Sequence, residues 1–150
     1  MSSRSAVFIA SLVVALAVAG VATAKDGGRP LATTMTGAEE APGPGDADAT
    51  GQADLRLNQG QARICFALSW EAIDGTVVAA HIHEAPAGVP GPIVVPLFEG
   101  TFSGTDSLSD CVQVDRSLVK DIRQHPSDYY VNVHSLPGFG AGAIRGQLSK

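Results

Sequence analysis

"QADLRLNQGQARICFALSW", residues 52–70, reads as two apolar-alternating runs around a turn. Ala53, Leu55 and Leu57 alternate with polar neighbours, "NQG" turns the chain, and Ala62, Ile64, Phe66 and Leu68 resume the alternation. Successive side chains of a strand point to opposite faces, so a period of two on both sides of a turn specifies an antiparallel hairpin with one face in a core. The fold is therefore built from strands.

The pattern continues in both directions. "LATTMTG" (31–37) suits a first strand through its β-branched threonines, and "AEEAPGPGDADATG" (38–51) follows as an exposed, mobile loop, because Pro42, Pro44 and its acidic residues do not make a ladder. After "DGT" come the strand "VVAAHIH", the turn "APAGVPGP" and the strand "IVVPLF", in which Pro96 favours a sheet edge or a bulge. "GTFSGTDSLSDCVQV" holds a further turn and strand. The one convincing helix is "DRSLVKDIRQH": Asp115 is placed to cap it, Leu118, Val119 and Ile122 share a face, Pro126 stops it, and His125 complements its dipole. "YYVNVH", the flexible turn "SLPGFGAG" and "AIRGQL" complete the chain. Roughly seven to eight strands with one short helix predict an all-β, antiparallel, Greek-key-like sandwich or barrel.

The amino terminus is a different kind of segment. Arg4, the apolar stretch Ala6–Val21 and "VATAKDGG" have the three-part layout of a secretory signal peptide, with Ala22 and Ala24 as the small residues of a cleavage site. The reading is a signal peptide over residues 1–24, a polar leader over 25–30 and one β domain over 31–149. An uncleaved membrane anchor is the alternative, since the apolar stretch falls somewhat short of the roughly 20 residues that span a bilayer. The product is secreted, extracellular or in the cell envelope, with no membrane span after cleavage. Ten basic against 15 acidic residues, a formal charge of −5, argue against nucleic acid or an anionic membrane as partner, and no basic run stands out.

The chain has 2 cysteines, Cys65 and Cys111. In an oxidising compartment they read as a disulfide, with two buried thiols as the alternative. Their spacing matches neither a zinc knuckle nor a redox C-x-x-C.

The chemistry concentrates in "AAHIHEAPAGVPGP", residues 79–92, which carries two of the 4 histidines. Strand alternation sets Val78, Ala80 and Ile82 on one face and His81 with His83 on the other. In "YYVNVH" it opposes Val131 and Val133 to Asn132 and His134, and in "AIRGQL" it opposes Ile144 and Leu148 to Arg145 and Gln147. With the aliphatic faces in the core, three imidazoles and one guanidinium stand on the outer face. Imidazoles two residues apart project in parallel, and a third from a neighbouring strand completes a three-nitrogen set suited to copper or zinc. The plainer alternative is three solvated histidines. Because copper and zinc bonds to nitrogen are about 2 Å long, donors that share one ion lie within about 4 Å of one another, and wide separation favours solvation. Glu84 and Glu39 or Glu40 could add a carboxylate, but nothing in the sequence places them there. No G-x-S-x-G elbow, precisely held carboxylate pair or phosphate loop is present.

"MTGAEEAPGPGDADATGQADLRL", "RICFAL", "AAHIHEAPAGVPGPIVVPLF" and "YYVNVHSLPGFGAGAIRGQL", in that order, resemble the CHRD domain, the module repeated in chordin and found singly in secreted bacterial proteins. Ala143 stands where that family usually carries an acidic residue. The resemblance implies an extracellular binding or structural module, with an unknown extracellular protein or surface ligand as partner and no catalytic residues. A more distant similarity is to copper/zinc superoxide dismutase, where an H-x-H strand and a later V-x-H-like strand supply copper ligands and a late arginine guides the anion. His81, His83, His134 and Arg145 follow that order. The bridging histidine, the zinc-ligand loop and that enzyme's cysteine placement have no counterpart. This similarity implies a copper-dependent redox enzyme as the alternative, with Arg145 guiding the anion or supporting the ligands.

Overall fold

The computed structural model describes residues 27–150. The expected signal peptide and the start of the leader lie outside the described residues. The chain forms β1 (Arg29–Thr36), β2 (Thr50–Asn58), β3 (Arg63–Glu71), β4 (Thr76–Glu84), β5 (Ile93–Phe102), β6 (Asp106–Gln113), α1 (Arg116–Gln124), β7 (Tyr129–Leu136) and β8 (Phe139–Gln147). One 8-stranded antiparallel sheet in the order β5-β4-β7-β8-β1-β2-β3-β6 curls into a nearly closed barrel, as the strand pattern predicts.

The hairpin of residues 52–70 holds as β2 and β3, with Ala53 opposite Leu68, Leu55 opposite Phe66 and Leu57 opposite Ile64, all buried. Ala62 differs from expectation. It sits in the turn at a φ of 52°, so the second run begins at Arg63 and ends on the buried Trp70. Trp70 also closes the barrel where the sheet does not. Its ring contacts Phe98 and Phe102 of β5 at centroid distances of 5.6 and 5.8 Å, and its Nε1–H donates to the Ser103 carbonyl at 2.9 Å. Aromatic contacts thus join β3, one strand in from the β6 edge, to the β5 edge across the open side.

Cys65 and Cys111 form the expected disulfide between directly paired positions of β3 and β6. The bond fastens an edge strand that has no fully buried residue of its own. Helix α1 contributes Val119 and Ile122 to the core, with Leu118 partly buried beside them. Asp115 occupies the cap position, but its side chain makes no capping hydrogen bond. The His125 ring lies 3.0 Å from Asp121, which also accepts the Tyr129 hydroxyl, so His125 is tied to a carboxylate rather than to the helix dipole alone.

Three local expectations are corrected. The segment 38–49 is exposed only in part: Gly45, Asp46 and Ala49 are buried, Asp46 N–H donates to the Ala143 carbonyl at 2.8 Å, and Asp74 N–H donates to the Asp46 carboxylate at 2.6 Å. Its backbone polar groups are met by neighbouring strands, which is what allows a Pro/Gly-rich segment to pack. "GFGAG" is not a flexible turn; β7 turns at Pro137–Gly138, and β8 starts at Phe139. In β4 the core face is Val77, Ala80 and Ile82, because a register shift between Val77 and Ala79 adds one residue and moves Val78 off the core. Among the described residues no helix is long and apolar enough to cross a membrane.

Candidate metal centre

The bulge leaves the second half of β4 in the phase that alternation predicts. His81 pairs with Asn132, His83 with Tyr130 and Ala79 with His134, while Asn132 pairs in turn with Arg145 of β8. The outer face of three adjacent strands therefore carries His81, His83, Tyr130, Asn132, His134 and Arg145 side by side. The imidazoles meet: one donor nitrogen from each of His81, His83 and His134 lies within 4.8 Å of the others, and His81 Nδ1 is 3.0 Å from His134 Nε2. The widest pair exceeds the roughly 4 Å span of two metal–nitrogen bonds, so a shared ion requires the rings to close by about an ångström.

The site lies outside the barrel yet away from solvent. His81, His83 and His134 are 9, 8 and 8% exposed, and Arg145 is 1% exposed. Two segments fold back over the sheet to achieve this. The β4–β5 connection, residues 85–92, is held by Arg145, whose Nη1 and Nη2 donate to the Val89 and Pro86 carbonyls at 2.9 Å each, and by Gln147 Nε2, which donates to the Ala85 carbonyl at 2.8 Å. Gly91 N–H donates to the Tyr130 hydroxyl at 3.1 Å. From the other side the segment after β1 brings Glu40 onto Asn132, which donates to its carboxylate. Gly142, at a φ of 151°, makes room: a Cβ there would meet the Glu40 carboxylate and the Asn132 amide.

The same coverings decide where the imidazole protons sit. His83 Nδ1–H donates to the Gly91 carbonyl at 2.9 Å and His134 Nδ1–H to the Gly140 carbonyl at 3.1 Å. A ring whose Nδ1 is spent on a carbonyl presents the Nε2 lone pair, the arrangement by which backbone groups orient metal-binding histidines. His134 Nε2 accepts from His81 Nδ1–H, whereas His83 Nε2 is buried with no hydrogen-bond partner. That orphaned lone pair is what a metal ion would satisfy, and the donor set fits copper or zinc.

Burial, reinforced by the neighbouring rings, holds the three histidines below the ordinary 6.5. His134 is depressed most, to about 4, by desolvation and then by His81. His81 is lowered by burial and by His83; burial outweighs the Gly91 hydrogen bond at His83, which Arg145 lowers further. All three are neutral at neutral pH, as ligand imidazoles must be. Burial pushes Glu40 the other way, up to about 7, against the opposing pull of Arg145 and hydrogen bonds from Ala41 and Asn132.

The structure brings together His81, His83, His134 and Arg145 and adds Tyr130, whose ring stacks on His83, and Gly91 and Gly140, which act through backbone carbonyls. Of the candidate carboxylates Glu40 reaches the cluster, through Asn132, while Glu39 and Glu84 are exposed. Carbonyl partners carry no side-chain signal, which is why the sequence does not disclose them. No curated protein and no solved structure matches the chain. The profile of the CHRD domain matches residues 31–148, most of the chain and all eight strands but the first two residues of β1, and the protein therefore belongs to the CHRD domain family.

Proposed function

We propose that the protein is an exported, non-enzymatic CHRD module that holds one copper ion through His81, His83 and His134 and serves as a binding or structural domain outside the cytoplasm. The observation that carries the metal assignment is the buried, unpartnered Nε2 of His83 facing two further imidazoles. Three neutral nitrogens favour copper over zinc by the usual order of divalent affinities. The amino-terminal layout and the disulfide support export. Arg145 supports the ligands: stacked on Tyr130 and spent on two loop carbonyls, it holds the segment whose Gly91 orients His83, a placement that favours this role over guiding an anion to a redox centre.

Copper titration of the metal-free protein, followed by equilibrium dialysis and elemental analysis, tests the assignment. One equivalent bound at neutral pH and lost in a His81→Ala/His83→Ala variant is expected. Equal affinity in that variant sinks the three-histidine site. Superoxide consumption no faster than that of free copper is expected from the loaded protein.

A further inference from the structure

Three of the 10 basic residues, scattered in the sequence, meet where α1 lies beside the start of β1 and the β2–β3 turn. Lys120 and Arg123, three residues apart on α1, face Arg29 at the start of β1 across a hollow of about 190 Å³ completed by Gln59 and Gln124. A second hollow of about 430 Å³ adjoins it and shares Arg29, Gln59 and Arg123. Among the described residues no carboxylate lines either one. Arg123 Nη1 donates to Gln59 Oε1 at 2.9 Å, which fixes the guanidinium against the β2–β3 turn. Among the described residues Arg29 and Lys120 have no ion-pair partner, and the Nε–H groups of Arg29 and Arg123 are shielded from water without an acceptor.

Gathering three cations without a counter-charge is unfavourable, and it is the more notable in a chain of net charge −5. The lining offers two guanidinium forks, an ammonium and two amides, so its charged groups are all donors. Guanidinium forks match the paired oxygens of phosphate and sulfate, and an ammonium adds a point charge. We propose that the cleft between α1, the start of β1 and the β2–β3 turn binds a tetrahedral oxyanion, a phosphate or sulfate group, held by Arg29, Lys120 and Arg123. The adjoining hollow gives room for whatever carries the group. This site is independent of the histidine cluster.

Amide chemical-shift titration of the metal-free full chain with inorganic phosphate, sulfate and glycerol 3-phosphate, at matched ionic strength against chloride, tests the proposal. Saturable shifts centred on Arg29, Gln59, Lys120 and Arg123 are expected, with Kd raised at least tenfold in Arg29→Gln and in Arg123→Gln. Lys120→Gln, at an exposed position, weakens binding without touching the fold, and Arg56→Gln on the exposed face of β2 leaves it unchanged. Tighter binding of glycerol 3-phosphate than of inorganic phosphate means that the group arrives on an organic carrier; equal binding means the free ion suffices. Shifts that rise linearly with every anion, chloride included, or a Kd unchanged in the Arg29 and Arg123 variants, overturn the proposal.

Discussion

The guanidinium carbon of Arg145 lies 3.4 Å from the centre of the Tyr130 ring, and the same ring stacks on His83 at 4.8 Å with an interplanar angle of 10°. Arginine, tyrosine and histidine thus form a row across β8, β7 and β4 beneath the β4–β5 connection.

Arg145→Lys disrupts that row although it keeps the charge. An ammonium does not span two carbonyls as a planar fork does, nor does it stack as a guanidinium does, so the segment 85–92 loosens. A stability loss of about 2 kcal/mol in urea unfolding is expected from the lost charged hydrogen bonds. Copper affinity should fall with it, because the Gly91 carbonyl that orients His83 sits on the loosened segment. Wild-type affinity in the lysine variant would show that the ligands are set by the sheet alone.

The stability of the metal-free protein should depend on pH in two opposed ways. His134 binds its proton near 4 when folded and near 6.5 when unfolded, so its contribution is complete above 6.5 and is lost as the pH falls toward 4. Glu40 binds its proton near 7 when folded and near 4.5 when unfolded, so its contribution is complete below 4.5 and is lost as the pH rises through 7. Urea unfolding between pH 4 and 8 resolves the two: His134→Gln flattens the acid side, and Glu40→Gln removes the decline between 4.5 and 7. Curves parallel to the wild type in both variants would assign the pH dependence to other groups.

Reducing the Cys65–Cys111 disulfide frees a loop with a sequence separation of 46. The loop-closure entropy corresponds to about 4 kcal/mol at most. Both cysteines lie outside the core cluster, so the reduced protein should keep its core and lose stability. Denaturation with and without reductant, checked against a Cys65→Ser/Cys111→Ser variant, measures the difference; near-equal midpoints would mean that the unfolded chain gains little freedom.

The alternation in residues 52–70 predicts the hairpin because one face of β2 and β3 is buried and the other is not, the condition under which a period of two is visible. The same rule sets His81 and His83 side by side, and it survives the bulge because the extra residue precedes Ala79. Burial of the histidines is not legible. It comes from segments 38–49 and 85–92, which stay largely exposed themselves and are held over the sheet by long-range hydrogen bonds that no local pattern announces. Glu40 and Asn132 are 92 positions apart, and Arg29 meets Lys120 and Arg123 only through the fold. Local patterns give the direction of a side chain; they do not give what lies on top of it.

The two strands that carry the histidines occupy unequal places in the sheet. β7 lies between β4 and β8, well inside, whereas β4 is second from the edge and shifts register against β5 at three points along its length. His134 stands on the inner strand, which is itself irregular against β8 between Val133 and Ser135, and His81 and His83 stand on the strand nearer the edge, so under the proposed copper binding the closing of the three rings would draw on bulged backbone on both sides.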